Sequence, residues 1–85
     1  MVEPGKGIGV IKHYYDRLQV GIIQLNAPLK IGDTIHVKGA HDDFIQMIDS
    51  IQIEHQKIDE ANAGDLVGIK LNQKVHEHDV VYRAE

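Results

Sequence analysis

The sequence predicts an all-β domain, and at this length a small closed barrel of about six to seven strands. Short apolar runs with alternating or β-branched residues follow one another at close spacing, and no segment has a convincing helical period. Aromatic residues are sparse, with three Tyr, one Phe and no Trp, so Ile, Val and Leu must fill the core. Closure is expected because it removes the exposed edges of a small open sheet.

The first two predicted strands form a hairpin. Apolar runs at 8–15 and 18–25 are separated by a break at Asp16-Arg17. The second run ends at Pro28, which has no N–H to donate to a strand ladder. A turn at Gly32-Asp33 then leads into the next strand, which runs to about residue 39 and alternates between apolar and polar residues.

The segment 44–55 is predicted to be one long strand, bent or bulged near Asp49-Ser50, because SIQIEH alternates and is rich in β-branched residues. A helix is the alternative, since residues 44, 45, 48 and 51 also fit a helical stripe. Residues 56–65 are predicted to be a loop. Strands are predicted again at 66–71 and 80–84.

The composition indicates a single domain, residues 1–85, with a flexible glycine-rich lead-in at 1–7. The net charge of −4 weighs against a protein whose main ligand is bare phosphate backbone. The chain has no Cys, which removes disulfides and thiolate sites. No stretch approaches the roughly 18 apolar residues of a membrane span, so a cytoplasmic protein without a membrane partner is expected.

No catalytic or cofactor site is predicted. The phosphate-binding pattern G-x-x-x-x-G-K-[ST] is missing, so no nucleotide is expected, and no Ser/His/Asp set stands in a suggestive context. His76-Glu77-His78 would place two imidazoles on one side of an extended segment, but a zinc site needs a third and a fourth ligand. We therefore predict a non-enzyme with no metal site and a solvated turn at 76–78; the alternative, a metal-responsive module through His76 and His78, is tested by zinc titration.

Three phrases resemble the β-barrel second domain of the translational GTPases, such as elongation factor Tu. They are KIGDTI (30–35), SIQIEH (50–55) and ANAGDLVGIKL (61–71), and the closing KVHEHDVVYR (74–83) is similar to the last turn and strand of that domain. The resemblance covers about residues 18–83. It implies a stand-alone, elongation-factor-like barrel.

Two Gly-Asp pairs within these phrases are expected to be structural turns, at Gly32, Asp33, Gly64 and Asp65. Glycine permits a positive φ there, and the Asp side chain can accept hydrogen bonds from nearby backbone N–H groups.

A nucleic-acid surface is predicted from the cations and rings of the first hairpin together with exposed lysines, because single-stranded RNA is bound by stacking rings beside cations. The predicted contact residues are Lys12, His13, Tyr14, Tyr15, Arg17, Lys30, Lys38 and Lys70. Lysines on a solvated exterior need no ligand, so a bare surface is the alternative.

The resemblance implies a non-enzymatic, translation-related binding module that contacts tRNA, the ribosome or a translation factor. The alternative is a protein-interaction adaptor, in which the barrel docks on a larger enzyme and touches no nucleic acid.

Overall fold

The structure, a computed structural model, describes residues 7–84. This part of the chain contains ten β-strands joined by turns and loops. Residues 1–6 of the expected lead-in lie outside this range, and Gly7 is the first residue of β1. The strands are β1 (Gly7–Tyr15), β2 (Val20–Leu25), β3 (Leu29–Lys30), β4 (Thr34–Lys38), β5 (Asp43–Met47), β6 (Ile51–Ile53), β7 (Gln56–Ile58), β8 (Glu60–Ala61), β9 (Leu66–Lys70) and β10 (Val80–Ala84).

Eight of these strands form one antiparallel sheet in the order β5-β4-β10-β1-β2-β9-β6-β7, and β3 pairs with β8 in a separate two-stranded sheet. The all-β prediction is confirmed. The prediction of a closed barrel is wrong, because β5 and β7 end the large sheet and no ladder joins them.

The sheet stays open because the segment 44–55 is not one strand. The chain leaves the ladder at residues 48–50, so that β5 pairs with β4 at one edge while β6 pairs with β7 and β9 at the other. The break also changes which side chains face inward. Phe44 and Ile48 are buried, whereas Ile45 and Met47 are 61% and 60% exposed.

A buried glutamine ties the free edge to the far side of the core. Gln46 of β5 is 5% exposed. Its side-chain nitrogen donates to the Lys70 carbonyl at 3.1 Å, and its side-chain oxygen accepts from the Asn72 N–H at 2.8 Å. Side-chain hydrogen bonds therefore make the connection between β5 and the end of β9 that a closed barrel would make with a backbone ladder.

One hydrophobic core is shared by both sheets, because Leu29 of β3 and Ala61 of β8 are buried in the same cluster as the large sheet. The predicted alternation is confirmed in β4, where Ile35 and Val37 are buried. Each fully buried aliphatic side chain of this kind stabilises the fold by about 1.5–3 kcal/mol. Other members of the core are Ile8, Ile11, Ile23, Leu25, Ile51, Val67, Ile69, Leu71 and Val81.

Three turns of the same construction precede β4, β9 and β10. Each ends in an Asp whose carboxylate accepts a hydrogen bond from the backbone N–H three residues earlier, at 3.0 Å in Lys30–Asp33, 2.8 Å in Asn62–Asp65 and 3.0 Å in His76–Asp79. The residue before each Asp has a positive φ. These residues are Gly32 (97°), Gly64 (92°) and, in the third turn, His78 (77°).

His78 is thus the one member of this set of turns that adopts the left-handed region with a side chain, which costs about 1–2 kcal/mol relative to glycine. His78→Gly is expected to raise the free energy of unfolding by about 0.5–1 kcal/mol, because strain relief outweighs the extra freedom of the unfolded chain. The measurement is urea unfolding with a chelator present. The matched control is Glu77→Gly, because Glu77 lies in the same turn but has no positive φ. This variant should destabilise the fold, and equal effects at the two positions would contradict the assignment of backbone strain to His78.

Candidate protein-binding groove

A groove of about 670 Å³ lies across β2, β6 and β9. Its walls carry apolar side chains that the core does not use: Leu18 is 64% exposed, Leu66 is 51% exposed and Tyr15 is 47% exposed. The remaining lining residues are Val20, Ile22, Gln52, Ile53, Glu54, His55, Gly64, Asp65, Val67 and Gly68.

Two tight turns and one glycine shape this groove. Gln19 in the β1–β2 turn has a φ of 56°, and Glu54 and His55 in the β6–β7 turn have φ values of 49° and 67°. Positive φ at both central residues, as in the β6–β7 turn, is typical of the two-residue hairpin turn whose twist matches that of the flanking strands. Between these turns, Gly68 of β9 pairs with Ile22 on one side and with Gln52 on the other. Because Gly68 has no side chain, the groove keeps its depth at this point.

The chemistry of the groove suits another polypeptide. Apolar side chains dominate the walls, and the polar groups Glu54, His55 and Asp65 stand among the lining residues. The lining includes no Ser, Thr, Cys or Lys. Interfaces of proteins combine an apolar centre with a polar rim in this way.

A second, smaller depression of about 320 Å³ beside β3 is lined by Pro28, Lys30, Asp33 and Arg83, among others. The Arg83 guanidinium donates to the Asp33 carboxylate at 3.1 Å and to the Pro28 carbonyl. These bonds hold the last strand against the first Asp turn, which accounts for Arg83 without a ligand.

The predicted nucleic-acid residues are distributed over β1, the β1–β2 turn, β3, β4 and β9. In the first hairpin, the His13 ring faces the Glu77 carboxylate at 3.3 Å and packs edge-on against Tyr15, while Tyr14 packs against the core. Lys70 pairs with Val20, next to this hairpin. Lys12 and Arg17 are exposed, Lys38 lies on β4, and Lys30 lies in the two-stranded sheet opposite Glu60. Nucleic-acid contact through these residues stays a prediction.

Sequence patterns missed a cluster of two carboxyl groups and an imidazole. Asp42, His76 and Asp79 each place one metal-ligating atom within 4.8 Å of the others. The His76 Nδ1 lies 2.7 Å from the Asp42 carboxylate, and the His41 ring lies 5.6 Å from the His76 ring. His78 is not a member of the cluster. The sequence could not reveal this group, because Asp42 and Asp79 are far apart in the chain and meet only when β4, β5 and β10 pair.

The two carboxyl groups influence each other strongly. Burial raises the pKa of Asp79 above its ordinary value, and the neighbouring Asp42 raises it further. Burial also acts to raise the pKa of Asp42, but hydrogen bonds with Asp79 and His76 outweigh it and hold that pKa below its ordinary value. Asp79 is therefore the member of the pair that takes up a proton first as the pH falls.

Comparison with known proteins connects this chain to peptidases. No protein-family model matches the sequence. The chain is 40% identical over 76 residues, 88% of its length, to a stretch of a protein from Methanocaldococcus jannaschii named "Uncharacterized protease MJ0090". The chain spans about a fifth of that protein, since the match covers 19% of its length.

Two solved structures share the fold of this chain. The C-terminal domain of a Geobacillus thermoleovorans "putative U32 peptidase" superposes with a TM-score of 0.88, at 18% identity, over 94% of this chain and 93% of that domain. The selenomethionine variant of the same domain superposes equally well, with a TM-score of 0.88 over 92% of this chain and 99% of that domain. The class of protein defined by the fold is thus a small all-β domain like the one at the C-terminus of that peptidase.

These relatives correct the resemblance to elongation factor Tu. The sequence relative is named a protease, and the structures that share the fold come from a peptidase. The assignment to an elongation-factor-like protein, and the translation role that rested on it, are therefore wrong. KIGDTI, ANAGDLVGIKL and the closing KVHEHDVVYR each contain an Asp turn that leads into a strand, and SIQIEH contains β6, so the resemblance reflects features of the fold. Of the two functions expected from the sequence, the adaptor agrees better with these relatives.

The relatives give only partial information on whether this chain belongs to an enzyme. They are named for peptidase activity, but this chain corresponds to a small domain of them and not to their whole length. In the described part of the chain, residues 7–84, no helix is long and apolar enough to cross a membrane.

Proposed function

We propose that this chain is a non-catalytic accessory domain of a peptidase-type enzyme, and that its groove packs against the catalytic part of that enzyme. The observation that carries the proposal is the exposed apolar groove, on a domain whose sequence matches about a fifth of a protease.

The composition of the groove supports this occupant. Leu18, Leu66 and Tyr15 are each about half exposed or more along this groove, and large neighbouring apolar side chains of this kind mark interaction sites. A partner segment with apolar side chains would remove that surface from water. The acidic groups Glu54 and Asp65 and the chain's net charge of −4 favour a basic or neutral rim on the partner.

The test uses hydrogen exchange. In a chimera, this chain replaces the matching 76-residue stretch of the M. jannaschii protease, and amide exchange is compared with that of the free chain. Amides of the β1–β2 turn and of residues 64–68 should exchange more slowly in the chimera. Leu66→Asp should remove this protection, because it places a charge in the centre of the interface.

The matched control is Ile45→Asp. Ile45 is also an exposed apolar residue on a strand, at 61% against 51% for Leu66, but it lies on β5 at one edge of the sheet. This variant should keep the protection. The proposal fails if exchange at the groove is the same in the chimera and the free chain, or if Ile45→Asp alone removes the protection.

The same interface can be measured between separate chains if the chimera does not fold. The free chain is titrated into M. jannaschii protease that lacks the matching stretch, and Leu66→Asp should weaken binding by roughly tenfold or more. Absence of binding by the unmodified chain, together with unchanged exchange on mixing, would overturn the proposal.

A further inference from the structure

The third Asp turn differs from the other two in the charge that faces its carboxylate. In the first turn, the Asp33 carboxylate is paired with Arg83 at 3.1 Å. In the third turn, the Asp79 carboxyl faces the carboxyl of Asp42. Asp79 is 4% exposed, and the side chain of Asp42 is 11% exposed. Within residues 7–84, neither carboxylate forms an ion pair with a Lys or Arg. Two such groups require either a proton on one of them or a positive charge between them, and a bound cation provides the latter.

The turn itself uses only part of the Asp79 carboxylate. Its Oδ2 accepts the hydrogen bond from the His76 N–H at 3.0 Å. Its Oδ1 lies against Gly39, so closely that a Cβ on Gly39 would stand 1.8 Å away. Gly39 has no positive φ, so the requirement for glycine at this position comes from the carboxylate, which occupies the space that a side chain would need. This oxygen is not needed for the turn and faces the loop that carries Asp42.

Imidazole groups complete the set of donors. His76 presents Nδ1 to Asp42 at 2.7 Å, and His41 stands beside it with ring centres 5.6 Å apart. The site therefore offers carboxylate oxygens and imidazole nitrogens with no thiolate. This is a ligand set that suits Zn²⁺ and related divalent ions.

We propose that Asp42, His76 and Asp79 bind one divalent transition-metal ion, with Zn²⁺ as the best chemical match. The three ligating atoms already lie within 4.8 Å of one another. Tetrahedral ligands at about 2.1 Å from an ion lie roughly 3.4 Å apart, so the loops must shift by up to roughly 1.4 Å to form the site. His41 or water supplies the fourth ligand. The ion joins the β4–β5 loop to the turn before β10.

The test is a titration of the full chain with Zn²⁺ at neutral pH, after removal of metal with a chelator, followed by calorimetry and by the imidazole resonances. We expect one ion per chain, shifts confined to His76 and His41, and a rise in Tm. Asp42→Asn should weaken binding at least about tenfold, as loss of a ligand or its support does. His76→Gln is the second variant, because His76 is half-exposed and its replacement leaves the core intact.

Two controls separate this site from binding at scattered surface histidines. Asp43→Asn changes the neighbouring carboxylate, which pairs with His36, and His78→Asn removes the other imidazole of the His-x-His pair while tolerating a positive φ. Both should bind Zn²⁺ within about twofold of the unmodified chain. The proposal is overturned if no ion binds, or if Asp42→Asn and His76→Gln bind as tightly as these controls. In either case a shared proton alone would compensate the carboxyl pair.

Discussion

Gly39→Ala is expected to lower the free energy of unfolding by about 2–4 kcal/mol, since it combines overpacking with a lost buried hydrogen bond. A Cβ at this position would lie 1.8 Å from Oδ1 and 2.5 Å from Cγ of Asp79. Asp79 is buried and cannot rotate into solvent without giving up its bond to the His76 N–H. Gly39 also closes the β4–β5 turn by donating to the Asp42 carbonyl at 2.8 Å, so backbone movement is resisted as well.

Urea unfolding measures this loss, and Gly7→Ala is the matched control. A Cβ on Gly7 would make only ordinary contacts, the closest being 3.8 Å from Tyr82 and Val80, and Gly7 has no positive φ. The same chemical change in β1 should therefore alter stability by no more than about 0.5 kcal/mol. Similar losses for the two variants would show that Asp79 does not need the space above Gly39.

Gln46→Ala is expected to cost about 2–4 kcal/mol, because it leaves a cavity and removes the partners of two backbone groups. The Lys70 carbonyl loses a donor at 3.1 Å, and the Asn72 N–H loses an acceptor at 2.8 Å. These bonds join β5 to the end of β9. In the variant we therefore also expect amide exchange to speed up more along β5 than in the rest of the large sheet.

Two further variants define the role of Gln46. Gln46→Glu keeps an acceptor for the Asn72 N–H but provides no donor for the Lys70 carbonyl, so its stability should lie below that of the unmodified chain. Gln56→Ala, at an exposed position of the edge strand β7, should be nearly neutral. Equal stability of Gln46→Ala and Gln56→Ala would exclude Gln46 as a connection between β5 and the end of β9.

Part of the local structure of this chain follows from its sequence, although residues 56–65, predicted to be a loop, contain β7 and β8. Alternation in TIHVK and LVGIK correctly predicts which residues are buried, because every second side chain of a strand faces the same side. The Gly-Asp pairs at Gly32 and Gly64 lie in turns with positive φ, where glycine is favoured. In the third turn, the same backbone occurs at His78 without a glycine, which local propensity does not predict.

The candidate sites were less accessible to sequence reasoning. Leu18 and Leu66 have the same apolar character as core residues, and only the pairing of β2, β9 and β6 shows that they line one groove. Likewise, His76-Glu77-His78 suggested a pair of imidazoles. In the structure His76 clusters with the carboxylates of Asp42 and Asp79, and His78 is not part of the cluster.

Local sequence patterns are sufficient to predict an all-β domain with an aliphatic core, turns that end in Asp, and strand faces set by alternation. Each of these depends on residues close together in the chain. That the sheet remains open depends on tertiary contacts, because the choice of partner for the strands around residues 48–50 is a matter of long-range pairing. Tertiary contacts also place Gln46 between β5 and the end of β9 and bring Asp42 to Asp79, since strand pairing brings together groups that are far apart in the sequence.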